Sequence, residues 1–144
     1  MLESIIALAA FIPVIIGMGG NIGTQSSTIV VRGMATGRIE IGNELKVLLK
    51  ELKVGLILGI LYGIMLGIFA NLKFLGSDPI LGVVVGLSIC SSMFLAAAVG
   101  TFTPLILRKL DIDPAVATGP FVTTSIDILG VLLYFIIAGL LLTL

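Results

Sequence analysis

With 58% of its 144 residues hydrophobic and only 11% charged, this chain is no soluble globular domain, since such domains carry about 25% charged residues and cannot hide this much apolar surface. Eight basic residues balance eight acidic ones, and there is one cysteine and no histidine. The missing histidine excludes serine–histidine and cysteine–histidine catalysis and histidine-ligated zinc, and the single Cys90 excludes an internal disulfide. The composition describes an all-α integral membrane protein, a single transmembrane domain over residues 1–144 with no soluble domain. Glu3 and the lack of a basic start argue against a cleaved signal peptide.

Four stretches are long enough to cross a hydrocarbon core, which takes about 20 apolar residues as helix. The first, about 5–31, contains Gly17-Met-Gly-Gly-Asn-Ile-Gly-Thr-Gln-Ser-Ser-Thr28. Small and hydroxyl residues alone would suit close helix packing. Asn21 and Gln25 beside four glycines point instead to a path or site for something polar, because lipid offers their dipoles no partners. Residues 32–53 form a charged linker whose end, Glu44 to Lys53, reads as an amphipathic turn or two running into the second span.

The second span, about 54–70, places Gly55, Gly59, Gly63 and Gly67 at four-residue spacing. That spacing lines one helix face with glycine and lets a neighbouring backbone come close. Gly82 with Gly86, and Ala96 with Gly100, do the same in the third span, about 80–107. Asp78-Pro79 and Asp113-Pro114 each pair an N-cap acid with a proline at the first helical position. The fourth span is expected over about 115–142.

Seven of the eight basic residues fall in the linkers 32–53 and 108–114. The excess of Lys and Arg predicts that these linkers are cytoplasmic and that both termini lie outside a cell (inner) membrane.

Within the fourth span stands Asp127, near mid-membrane, with no basic residue inside any span to pair with it. A carboxylate at that depth costs at least about 2.5–3.5 kcal/mol and usually marks an ion or proton route. Thr123 and Thr124 precede it by four and three residues and share its face. Gly17, Asn21, Thr24 and Thr28 recur at three- and four-residue steps on the first span, and Asn21 lies about as deep as Asp127. Pro13 and Pro120 are expected to loosen hydrogen bonds and free backbone carbonyls. Two such faces converge on an all-oxygen site that suits a hard cation such as Mg²⁺, Ca²⁺ or Mn²⁺.

The sequence resembles the membrane domain of the MgtE family of magnesium channels and transporters. The resemblance rests on Pro13-(x)₃-Gly17-Met-Gly-Gly-Asn-Ile-Gly-Thr-Gln25, on Val31-Arg32-Gly33, and on Asp113-Pro-Ala-(x)₃-Gly119-Pro-Phe-Val-Thr-Thr-(x)₂-Asp127-(x)₂-Gly130. It implies a homodimer with its pore on the two-fold axis, lined by the first and fourth spans, with Asp127 as the central acid. Members of the family usually have five spans, preceded by a cytoplasmic helical domain and a CBS pair. This four-span chain is then either part of a longer protein or a minimal relative, with gating domains possible as separate cytoplasmic partners.

The expected function is transport of a divalent cation, Mg²⁺ ahead of Mn²⁺ or Co²⁺, by channel or carrier, with no organic cofactor and no nucleic-acid partner. Asp127 would bind the hydrated ion, with oxygens from Asn21, Thr24, Thr28 and Thr123 and the Gly20 carbonyl nearby. A structural or partner-binding membrane module, or a pore fragment without transport of its own, is the alternative reading. An intramembrane aspartyl hydrolase built on paired Asp127 residues is the enzymatic alternative, and no second acid supports it.

Overall fold

Each apolar run closes its backbone hydrogen bonds within itself, which is the helical solution that lipid requires. The computed structural model describes residues 2–39, 42–74 and 80–142. Its helices are α1 (Leu2–Ala35), α2 (Glu44–Lys73), α3 (Ile80–Lys109) and α4 (Pro120–Leu142), with a 3₁₀ turn at Pro114–Thr118 before α4. All four helices are long and apolar enough to cross a membrane. At about 1.5 Å per residue, the 34 residues of α1 reach about 51 Å. Its ends therefore project beyond a hydrocarbon core of about 30 Å.

α3 is the hub. It packs against α1, α2 and α4, whereas α1 and α2 barely meet. Its buried residues, among them Val84, Val85, Ile89, Met93, Ala96 and Ala97, occupy much of its circumference. α2 instead buries one narrow row, Glu51, Gly55, Gly59, Gly63, Gly67 and Ala70. The rest of α2 presents Ile57, Ile60, Ile64, Met65, Ile68 and Phe69 outward, as a lipid-facing helix does.

The glycine face does the packing expected of it. A methyl group added at Gly63 would sit 2.6 Å from the carbonyl oxygen of Gly86, and one at Gly67 would sit 2.7 Å from that of Gly82. Backbone meets backbone along this seam, and only hydrogen fits between. Gly100 lies equally close to the backbone of Gly23. There α3 also meets α1, the helix that carries the polar motif.

Two boundaries differ from expectation. The first helix runs past the expected end at about 31 to Ala35, while α2 begins at Glu44, in line with the amphipathic turns expected to run into the second span. Asp113 does cap, accepting a hydrogen bond from the Ala115 N–H at 2.9 Å. What it caps is the 3₁₀ turn, not the fourth helix expected from about 115. Gly119 breaks the chain between them with φ −110° and ψ −157°, the extended form favoured before proline. Pro120 then opens α4 in its first turn, where its missing N–H frees no helical carbonyl, so of the pair only Pro13 lies inside a helix, within the continuous α1. Asp78-Pro79 lies outside the described residues.

Substituting glycine by alanine separates packing from helix propensity. Alanine is intrinsically the better helix former by about 1 kcal/mol. Gly139 has nothing within 4 Å of an added methyl, so Gly139→Ala is expected to leave thermal stability in detergent unchanged or slightly raised. Gly63→Ala, by forcing α2 away from α3, is expected to destabilise by about 1–3 kcal/mol despite the same propensity gain.

Candidate cation site

α1 and α4 approach each other through the glycines of the motif. A methyl at Gly19 would stand 3.1 Å from Ser92 Oγ and 3.2 Å from Ile126 Cγ2, and one at Gly23 would collide with the Ile126 side chain. Ile126 is thus seated in the notch that Gly19 and Gly23 leave open, and it is buried. Asp127, the next residue, is carried to the edge of the same seam. Its Oδ1 lies 3.7 Å from the position of a methyl on Gly20. The carboxylate is half-buried against α1, beside the backbone of the motif.

The other expected site residues are distributed around this point. Gly17, Asn21, Gln25 and Thr28 form an exposed row along α1, while Gly20 and Thr24 are half-buried beside it. On α4, Thr123 is half-buried and Thr124 exposed. The Thr123 hydroxyl donates to the Pro120 carbonyl at 3.1 Å, leaving its oxygen lone pairs outward. The structure therefore brings Gly20 and Asp127 together and sets Thr123 one turn from the acid. Asn21 and Thr28 face away from the bundle. No cluster of three or more acidic, histidine or cysteine side chains occurs among the described residues. One chain brings one carboxylate, Asp127, to the flank of a row of neutral polar side chains on α1.

The sequence pattern of the MgtE family, described as divalent cation transporters, matches residues 12–137, which include both the α1 motif and Asp127. The chain belongs to the MgtE family. It is 39% identical over 142 residues to the magnesium transporter MgtE of Thermus thermophilus, covering 99% of this chain and 31% of that protein. Identity to the magnesium transporter MgtE of Bacillus subtilis is 35% over 137 residues, covering 95% of this chain and 30% of the relative. The Enterococcus faecalis protein of the same name is 37% identical over 133 residues, covering 92% and 29%. The chain spans about a third of the length of these curated relatives.

This MgtE family chain is a multi-pass membrane protein, and its motif helix is pinned from two sides. Ser26 Oγ donates to Glu51 Oε2 on α2 at 2.9 Å, and Ser27 Oγ donates to the Ala117 carbonyl of the 3₁₀ turn at 2.7 Å. Both serines and Glu51 are buried. Further along, the Tyr134 hydroxyl on α4 donates to the Leu8 carbonyl of α1 at 2.8 Å. These bonds fix the rotation of α1, and with it which motif residues face outward.

Glu51 was not singled out by the sequence reasoning. The readable signal was its place four residues before Gly55, which extends the buried glycine row of α2 by one turn. Removing the Ser26 donor leaves a buried carboxylate oxygen without its partner, a loss of about 1–3 kcal/mol. Ser26→Ala is expected to lower unfolding stability by that amount, whereas Glu51→Gln, whose amide oxygen still accepts, is expected to be milder. A double-mutant cycle of Ser26→Ala with Glu51→Ala should show clear non-additivity.

Proposed function

We propose that this chain forms the membrane pore of a divalent-cation transporter, with Mg²⁺ as its first substrate and Mn²⁺ or Co²⁺ as further candidates. The observation that carries the reading is the exposed polar row Gly17, Asn21, Gln25 and Thr28 on a membrane-spanning helix, next to Asp127. Such a row is unstable against hydrocarbon. It is at ease against water or against a second polar surface. A second copy, placed with its own α1 and α4 across a two-fold axis, supplies both.

In that homodimer two Asp127 carboxylates face one divalent ion and balance its charge. Magnesium dehydrates reluctantly and commonly keeps several waters. Asp127 therefore holds a hydrated ion, while Asn21, Thr24, Thr28 and Thr123 and the carbonyl of Gly20 accept hydrogen bonds from its water shell or contact it directly. The membrane potential drives the ion inward, and no organic cofactor enters. The bundle sits in the cell membrane with the basic ends of α1, α2 and α3 in the cytoplasm and both termini outside. Magnesium is named for the relatives, which are about three times as long. Cytoplasmic gating domains belong to the same proposal.

Uptake in a magnesium-starved host tests the assignment. Asp127→Ala is expected to lower the initial rate at least about tenfold, equivalent to about 1.4 kcal/mol of lost ion binding. Asp127→Glu is expected to lower it less, with membrane expression matched between variants. Undiminished uptake by Asp127→Ala would remove the central acid from the mechanism.

A further inference from the structure

The Val31-Arg32-Gly33 stretch after the polar motif plays no part in the proposed ion path, yet the chain builds a defined cavity around it. At the end of α1 the backbone folds back on itself. Thr36 N–H bonds to the Arg32 carbonyl at 3.0 Å, and Gly37 N–H to that of Met34 at 3.1 Å. Arg38 and Ile39 N–H both reach the Gly33 carbonyl, at 2.9 and 3.1 Å. Gly37 adopts φ +69° to make this turn, the left-handed cap that glycine allows. Ile39 then lands on Gly33, where even a methyl would be 2.5 Å from its Cδ1. The Arg108 guanidinium holds the Ile39 carbonyl from α3 at 3.2 Å.

This folded-back loop walls a cavity of about 480 Å³ against α1 and α2. Ile29, Ile39 and Val47 give it an apolar side, and Arg32, Arg38 and Lys50 bring three cations to it. All three cationic side chains are exposed. Among the described residues the one acid in the lining is Glu51, which is buried and bonded to Ser26. The charge left facing the cavity is therefore positive. It lies where α1 leaves, and α2 enters, the apolar layer, at the basic end of the bundle.

We propose that this cavity binds the phosphate headgroup of an anionic phospholipid, with Arg32, Arg38 and Lys50 on the phosphate and the upper acyl chain against Ile29. Charge complementarity selects the ligand, and a basic pocket between membrane helices at the cytoplasmic surface is a recurring form of lipid recognition. Arg32 and Arg38 can grip phosphate with two donors at once, while Lys50 adds a point charge. Because Ile29 and Arg32 belong to α1, an occupied cavity steadies the helix that carries the polar row.

The test is lipid binding by the purified full chain in a neutral detergent, read by native mass spectrometry with phosphatidylglycerol, phosphatidylcholine or inorganic phosphate added. The wild-type chain is expected to retain phosphatidylglycerol over phosphatidylcholine. Each of Arg32→Gln, Arg38→Gln and Lys50→Gln is expected to weaken that retention by about fivefold, the effect of one basic residue near a lipid phosphate. Lys109→Gln, which removes an equal charge outside the cavity, is expected to change it less than twofold. An equal loss in Lys109→Gln would reduce the preference to diffuse charge and overturn the site. Displacement of phosphatidylglycerol by millimolar inorganic phosphate would overturn the lipid as its occupant. Arg38→Gln, on an exposed loop outside every helix, decides the outcome should the others fold poorly.

Discussion

Hydrocarbon offers no hydrogen bonds, and that one constraint orders the whole molecule. It confines the described backbone in the apolar layer to helices. It also removes the usual reason for helices to associate, because lipid tails are as apolar as leucine side chains. What remains is close contact, and the chain obtains it by deleting side chains. Gly63 on Gly86, Gly67 on Gly82 and Gly23 on Gly100 bring backbones within reach of one another. Dispersion then acts over many atom pairs, each worth only about 0.1–0.2 kcal/mol.

The same constraint sorts the polar side chains. Ser26, Ser27 and Tyr134 are buried and each has an acceptor on another element, so they fasten helices together. Asn21, Gln25 and Thr28 are exposed on a membrane helix, and Asp127 is half-buried at their flank. On α1 the buried serines and the exposed Asn21, Gln25 and Thr28 lie on different faces. The buried serines fix its rotation, and that rotation decides that the amides face outward. Structure and proposed function are linked at this point: the packing that satisfies one polar face leaves the other to seek water, an ion or a second copy.

Much of this was legible in the sequence. Four spans were evident from length and hydropathy, and the glycine face of α2 from its spacing. Asp127 stood out as an acid without a partner. The depth match between Asn21 and Asp127 points to convergence of α1 and α4, and the two helices do pack together, with Ile126 in the notch at Gly19 and Gly23. Other features were hidden because they depend on tertiary contacts. Glu51 reads as one more charge in an amphipathic linker, since periodicity alone does not show that it is buried with Ser26 of α1 as its partner. The 3₁₀ turn was missed because Asp113-Pro114 is a sound cap for either kind of helix. Only the extended conformation of Gly119, imposed by Pro120, separates the two. The fold-back of Ile39 onto Gly33 leaves no periodic trace at all.

Thiol accessibility distinguishes an outer row of α1 that faces water, as proposed, from one that faces lipid. In a Cys90→Ala background, Asn21→Cys is compared with Ile64→Cys on the lipid-facing side of α2, using a membrane-impermeant thiol reagent on protein in liposomes. Rapid labelling of Asn21→Cys that slows when Mg²⁺ is added is expected, with no labelling of Ile64→Cys. If Asn21→Cys proved as unreactive as Ile64→Cys, the row would face lipid or a dry interface, and the proposed ion path would have no place in the structure.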